Sequence, residues 1–426
     1  MADAPSPYAP GIIADERLPP RPAGRASVFL VATFAMTVAT SGLYRFWSGR
    51  APLMTGHSSS IAAAMALVSL PGMLALLWAY LSDRVGLLGT RREGYLLLAS
   101  MMMVIVWLGL AFGSQNYLVW IVTALPTGLA AAITRAAIVG ALAEIGQRRS
   151  ATGGLAAAYA GLSVLAEMAV LPATYFLSGS ITWTSGVMVG LMLALALMIA
   201  VLWDSDAPAH PPASPWAAPV TIPGFLRSRA FWGSVAVLIL AGVATVPDYL
   251  MARLESTEEY RAYWQASQWK TPAITIGIAG AYLLLCRRIR FDLLLRFALF
   301  AKAIALAVHA LVAHASWLEL PFSVLLIRAL GDGLAMIALV DLALRAAPRG
   351  REAFGAVLLA GLPGVITLAA GAVEFTALDS GVGSVAWFGA GAAVAATLAV
   401  SLLPREIGHA REGRRAPESP MVGSPP

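Results

Sequence analysis

The chain has 426 residues, 59% of them hydrophobic and only 12% charged, with a mean hydropathy of +0.75 and a formal net charge of +6. A soluble domain carries roughly a quarter charged residues, so this balance excludes a soluble enzyme, a disordered scaffold and a DNA-reading domain. It also supplies apolar length for about a dozen bilayer crossings of ~20 residues each. The first 25 residues, with Pro5, Pro7, Pro10, Pro19, Pro20 and Pro22, read as a loose polar tail, and no basic stretch running into a short apolar core marks a cleaved signal peptide. Apolar runs then recur at 26–47, 59–82, 95–113, 117–142, 151–177, 183–203, 229–251, 266–287, 291–314, 318–346, 350–377 and 381–403. Their lengths predict helices spanning a ~30 Å hydrocarbon layer, and the strict alternation of membrane strands is absent. The fold class expected is an all-α membrane protein of twelve transmembrane helices. The stretch 204–228 holds Pro208, Pro211, Pro212, Pro215, Pro219 and Pro223 and could not span. It divides the chain into six-helix bundles over 26–203 and 229–403, with a polar tail over 404–426.

Arginine placement tests that count. If the N-terminus is cytoplasmic, the inside segments hold Arg17, Arg21 and Arg25; Arg84, Arg91 and Arg92; Arg148 and Arg149; Arg227 and Arg229; Arg287, Arg288 and Arg290; Arg345, Arg349 and Arg351; and Arg405, Arg411, Arg414 and Arg415. The outside turns near 114–116, 178–182, 315–317 and 378–382 hold no Lys or Arg, and Arg253 and Arg261 are offset by Glu255, Glu258 and Glu259. This is the positive-inside bias, and it explains the basic pI of 9.7 without a nucleic-acid partner. Trp47, Trp120, Trp183 and Trp317 fall at the outer ends, where indole prefers the interface. The expected location is a bacterial inner membrane with both termini cytoplasmic.

The two halves repeat. Glu144, Arg148 and Gly153 recur at the same spacing as Asp341, Arg345 and Gly350, an offset of about 197 residues that also places Arg91 on Arg288. A parallel repeat about an axis along the membrane normal is the arrangement of two-half transporters. Cys286 is the one cysteine, so neither an internal disulfide nor a Cys metal cluster is available. Neither lysine, Lys270 or Lys302, ends a P-loop. No His-x-Glu box or Gly-x-Ser-x-Gly elbow is present. The reading is therefore of a non-enzyme with no cofactor.

Leu81-Ser82-Asp83-Arg84-Val85-Gly86 followed by Arg91-Arg92 resembles the acidic-then-basic loop of the major facilitator superfamily. Glu144, Arg148-Arg149 and Gly153 resemble that superfamily's loop between helices 4 and 5. Within it, Ser82-Asp83-Arg84 with the stretched loop Gly86 to Tyr95, and Pro348 to Phe354 after helix 10, resemble the folate–biopterin transporter family. Ser41-Gly42-Leu43 and Leu70-Pro71-Gly72 with Trp78 to Arg84 are similar to the muropeptide permease and acetyl-CoA transporter branch. The resemblance implies two halves rocking about a midplane site, with helices 4 and 10 on opposite cavity walls and helix 9 as an outer support. It implies a gating latch in which Asp83 sits near a helix N-terminus and Arg84, Arg91 and Arg92 pair across the halves. Glu144 and Asp341 would be partners there, with Arg148 and Arg345 beside them. Both branches usually carry acids in helix 4, where this chain has Ile133-Thr134-Arg135-Ala136-Ala137.

An ionisable side chain deep in a spanning helix costs ~2.5–3.5 kcal/mol on insertion scales and is a functional-site candidate by default. The repeat offset maps Arg135 in helix 4 onto Asp332 in helix 10. Arg135 is expected to hold an anionic substrate group and Asp332 a cationic group or a proton; the plainer reading neutralises Asp332 by Arg328, one turn before it. Glu167 in helix 5 shares a stripe with Tyr159, Ser163 and Thr174 and is read as a proton carrier or as a satisfied buried acid. Helix 1 carries Thr33, Thr37, Thr40, Ser41 and Tyr44 on a polar face ending at Arg45, read as cavity lining. Glu374 and Asp248 are read as rim residues. Lys302 and His309 share a face of helix 9 and are read as snorkelling toward lipid; His309 and His314 lack a third metal ligand. The function expected is a monomeric secondary active transporter of a small polar or charged organic solute, with protons as an optional coupling ion. A muropeptide- or siderophore-type importer and a non-transporting assembly factor on the same fold are the alternatives.

Overall fold

The computed structural model describes residues 24–55, 74–88, 90–113, 117–177, 181–202, 221–247, 258–314, 322–377 and 382–408. The proline-rich first tail, most of the linker and the C-terminal tail lie outside the described residues. So do Asp248 and the side chains of Tyr44, Arg45, Thr174, His314 and Glu374.

Among the described residues twelve principal helices follow the apolar runs in order. They are α1 (Gly24–Thr55), α2 (Ala75–Arg84), α3 (Glu93–Gly113), α4 (Tyr117–Arg149), α5 (Thr152–Leu177) and α6 (Ile181–Val201). The second half has α7 (Arg229–Val243), α8 (Glu258–Arg288), α9 (Phe291–His314), α10 (Phe322–Ala346), α11 (Glu352–Ala377) and α12 (Val382–Ala399). Helices close their backbone hydrogen bonds within one segment, which is what hydrocarbon demands. Some outrun the apolar runs: α4 continues to Arg149 and α8 starts at Glu258. Hydropathy marks the hydrocarbon layer, whereas the helix continues into the polar zone, where charged side chains reach water.

The linker's last residues are structured. Thr221 caps a short helix, Ile222–Leu226, by accepting from Gly224 N at 3.2 Å, and Ser228 caps α7 by accepting from Phe231 N at 3.1 Å. The buried Phe225 meets Phe231 edge-on at 5.0 Å, so the chain enters the second half at a fixed angle.

Packing repeats with the sequence. In the first half α1 lies on α5 and α6, and α3 on α4 and α6; in the second, α7 lies on α11 and α12, and α9 on α10 and α12. Adding six to each helix number converts one set into the other. The halves meet through α2 on α11 and α5 on α8, a pair exchanged by the same operation, and through α4 and α10. Small residues allow the backbones to approach. A Cβ on Gly331 of α10 would stand 2.9 Å from the Ala301 carbonyl oxygen of α9, and one on Gly242 of α7 would stand 2.9 Å from Pro363 Cα of α11. Phe112, Trp183, Ile105 and Leu398 point outward and are largely exposed, which suits lipid and not water.

Candidate functional site

At the arginine-rich end of the bundle Asp83 closes α2 with a fully buried side chain. Its Oδ1 accepts from Arg91 Nη2 (3.3 Å), Arg92 Nη2 (3.2 Å) and the backbone N–H of Ala353 (3.2 Å), while Oδ2 accepts from Phe354 N–H (2.9 Å). Those two N–H groups belong to the first turn of α11, in the other half. A helix N-terminus presents unpaired donors and the positive end of the dipole, so the carboxylate caps it.

The loop after α2 fixes the arginines. Leu87 and Thr90 form an isolated antiparallel bridge, with Leu88 at φ 54°, and Thr90 Oγ1 accepts from Gly94 N–H at 2.8 Å at the start of α3. The Tyr95 hydroxyl donates to the Val85 carbonyl at 3.1 Å. A Cβ on Gly94 would collide with the Leu87 carbonyl, so the loop folds this tightly only over glycine.

Two further acids complete the cluster. Glu144 Oε2, from α4, faces Arg92 Nε at 3.3 Å and Arg91 Nη1 at 3.5 Å, and its Oε1 takes Arg148 Nη2 at 2.8 Å. Glu352 of α11 reaches Arg91 Nη2 at 3.2 Å and Arg92 Nη2 at 3.6 Å, and accepts from Gly350 N–H at 2.7 Å. Arg91 also donates to the Gly350 carbonyl at 3.4 Å. Burial is the largest influence on Asp83 and raises its carboxyl above the usual value, with Glu352 adding to the rise and Arg92, Arg91 and the Phe354 N–H opposing it. Burial alone would lower Arg92, but Asp83, Glu144 and Glu352 outweigh it, so the guanidinium stays charged.

Arg84 takes a different part. It lies over the Tyr80 ring at 5.1 Å, and Arg351 from the other half lies over the same ring at 5.5 Å, with Phe354 edge-on at 6.5 Å. Gln147, which sequence reasoning passed over, donates from Nε2 to the Leu344 carbonyl (2.7 Å) and the Ala347 carbonyl (2.8 Å) at the end of α10. Leu344 is the residue onto which the repeat offset maps Gln147. Equivalent positions touch only near a two-fold axis, so this contact marks the pseudo-axis. Gln147 is neutral within a run of charges and gives no signal in the sequence. Glu352 was visible only as one letter of the Pro348 to Phe354 stretch.

Asp341 is not brought to the latch. It is fully buried, held by Arg345 at 2.7 and 3.2 Å and by the Tyr282 hydroxyl at 3.0 Å, all in its own half. Arg345 in turn lies over the Phe291 ring at 4.5 Å. The offset that maps Arg91 onto Arg288 puts Gly280 at the place of Asp83, so the second half lacks the acid at the centre of the cluster although Asp341 stands at the place of Glu144.

Within the spanning region, Lys302 does not snorkel. It is buried and turned onto α10, where its Nζ pairs with Asp332 Oδ1; Arg328 Nε lies 3.7 Å from Oδ2. Asp332 is thus neutralised in its own half, as its i,i+4 spacing from Arg328 allows, but by a lysine the outer-support reading had sent elsewhere. Arg135 is the opposite case: its side chain is exposed, and its Nη2 donates across the halves to the Ala360 carbonyl of α11 at 3.2 Å. Among the described residues no carboxylate pairs with it.

Glu167 projects from α5 with an exposed side chain, and the nearby Ser163 hydroxyl donates to the Tyr159 carbonyl at 2.9 Å. On α1, Thr37 and Ser41 are half-buried, whereas Thr33 is buried and bonded to the Phe29 carbonyl at 2.8 Å. Among the described residues no three His, Cys, Asp or Glu side chains converge as metal ligands.

No curated protein matches the sequence as a relative. Solved structures do match in fold. The chain resembles FucP, a major facilitator superfamily transporter in the outward conformation, at 12% identity over 88% of this chain and 98% of that one, with a TM-score of 0.65; a second matching FucP structure is of the E. coli fucose:proton symporter. The human organic anion transporter MFSD10 matches at 13% identity, 89% and 100% coverage and a TM-score of 0.63. The proton:xylose symporter XylE matches at 11%, 88% and 94%, and 0.61. The family model described as the Major Facilitator Superfamily matches residues 26–362, across both halves. With its repeated six-helix packing and its membrane-spanning apolar helices, the chain belongs to the Major Facilitator Superfamily, a family of integral membrane transporters and not of enzymes.

Proposed function

We propose that this protein moves a small polar or charged organic solute across the membrane by alternating access, with Asp83, Arg84, Arg91, Arg92, Glu144 and Arg148 gating one end. The observation that carries the reading is the cross-half cap of Asp83 on the first turn of α11. It joins mobile halves through a few exchangeable polar contacts at one end, as a reversible gate requires. Arg135, Asp332, Arg328, Glu167, Thr37, Ser41, Tyr44 and Arg45 are the residues assigned to the solute path, with Asp332 holding its charge in reserve against Lys302. Asp341 and Arg345 act within the second half as a support for α8 and α10.

The loop resemblance makes a pterin- or folate-like solute the first class to test, and a muropeptide or siderophore the second. The arginine distribution supports placement in an inner membrane with both termini cytoplasmic, and a monomer is the proposed working unit. Proton coupling, a property of the symporters FucP and XylE, is assigned in this protein to Glu167. Thermal-shift screening in detergent against pterins, folates and amino-sugar peptides, followed by flux in proteoliposomes, tests the proposal. A bound solute that is carried with a pH-dependent rate is the expected result. A protein that carries nothing under a pH gradient or a membrane potential, yet co-purifies with a fixed partner, would be the assembly factor instead.

A further inference from the structure

Arg135 interrupts a buried stretch of α4: Ile133, Thr134, Ala136 and Ala137 are all buried, while the arginine itself is exposed. The helix is packed by α1, α2, α3, α5, α10 and α11, so that exposure opens into the gap between the halves. The one acceptor Arg135 has among the described residues is the Ala360 carbonyl, on the far side of that gap. A guanidinium carries five donors in a planar fork, and a single carbonyl uses one of them. Pro363 on the next turn lacks only the N–H that would bond the Leu359 carbonyl, so the Ala360 carbonyl meets Arg135 with its second lone pair. One turn further along from Ala360 on the same face stands Gly364, where an added Cβ would meet nothing within 4 Å among the described residues; Gly361 beside Ala360 is equally open. Among the described residues, α11 is therefore open at two positions close in sequence to the acceptor of Arg135.

We propose that Arg135 is an exchangeable oxyanion anchor, held on the Ala360 carbonyl until a carboxylate or comparable oxyanion of the solute takes that place beside Gly364. This rests on the transport reading and deepens it by naming the chemical class of the solute. A carboxylate engages two parallel N–H groups of a guanidinium where a carbonyl engages one, and charge attraction is strengthened away from bulk water. The exchange has a mechanical consequence. Arg135 holds the middle of the helix whose first turn Asp83 holds at the arginine-rich end. A solute that draws Arg135 off Ala360 leaves α11 tied to the first half by the polar contacts of its first turn, from Asp83, Arg91 and Arg92.

Matched probes test this: glucuronate against glucose, and benzoate against benzamide, with binding read by thermal shift and titration and transport read by counterflow in proteoliposomes. The acids are expected to raise the melting midpoint of the wild type above their neutral partners. Arg135→Gln should weaken acid binding at least tenfold, and Arg135→Lys, which cannot present a fork, should fall between. Gly364→Val, which fills the open space and leaves the guanidinium intact, should also weaken acid binding; it carries the test if Arg135→Gln does not fold. Equal shifts from acids and neutral partners, no shift from any probe, or acid binding by Arg135→Gln at wild-type affinity would each overturn the inference. Counterflow separates the two claims. A neutral probe carried undiminished by Arg135→Gln, with no acid preference, leaves transport standing and removes the anchor; acid binding that depends on Arg135 without any flux keeps the anchor and removes transport.

Discussion

Two cations and one carboxylate meet where α9 and α10 cross, and the order in which they are removed decides the outcome. Lys302 is buried and Asp332 about one-third exposed. Truncating Lys302 leaves the part-exposed Asp332 with Arg328 at 3.7 Å, at a cost of about 1–3 kcal/mol, whereas removing both Lys302 and Asp332 is milder. Lys302→Met should therefore lower the melting midpoint in detergent sharply, and Lys302→Met with Asp332→Asn should recover most of the loss. A double variant no more stable than the single one would mean the two side chains do not interact. Asp83 makes a different prediction, in pH. Burial holds its carboxyl above the usual 3.8 in the latched arrangement, and separation of the halves would return it toward that value. Closing then takes up a proton, so acidification through the window between the raised value and 3.8 favours the latch, and above that window pH has no effect through this group. Distances across the arginine-rich end, measured by spin labels, should shorten as pH falls into the window. Asp83→Asn should flatten the dependence.

At the scale of helices, the latch depends as much on what α4 lacks as on what α2 carries. A Cβ on Gly140 would fall onto Arg92 Nη1 and crowd the Cβ of Ala353, the residue whose N–H Asp83 caps. Gly140→Ala should push α11 and the arginine loop apart, destabilise the protein by about 1–3 kcal/mol as an overpacked contact does, and raise thiol labelling at engineered cysteines on the arginine-rich end. Unchanged labelling would show that the contact yields without opening. The helices and their order were legible in the sequence because hydropathy and arginine placement report directly on the bilayer. Asp83, Arg91, Arg92 and Glu144 were legible because charged residues crowd into one short loop and the helix end facing it. Lys302 was misread because spacing gives the face of a helix but not the neighbour that face meets: Gly331 brings α10 against α9 at that point, and nothing in α9 itself records it. Gln147 and the Ala360 carbonyl escaped because neutral donors and backbone acceptors have no sequence signature.

For the molecule as a whole, the repeat is faithful in its packing and broken in its chemistry. Exchanging the halves preserves every principal helix pairing, and Gln147 meets its own repeat mate near the axis. The charged latch is nonetheless built from one side: the first half supplies Asp83, Arg91, Arg92 and Glu144, and the second supplies a helix N-terminus, Glu352 and the Gly350 carbonyl. A two-fold pair of latches would add the same cost of separation twice, whereas a single off-axis latch beside the central Gln147 contact lets the halves hinge about that contact. Movement should then be large at Tyr80 and Phe354, whose rings lie 6.5 Å apart across the halves, and small at Gln147. With Cys286 replaced by serine, Tyr80→Cys and Phe354→Cys bridged by a short, reducible thiol cross-linker should stop uptake, and reduction should restore it. The same bridge placed between Gln147→Cys and Leu344→Cys should slow uptake far less. Full transport with the Tyr80–Phe354 bridge in place would mean that the halves do not part at this end.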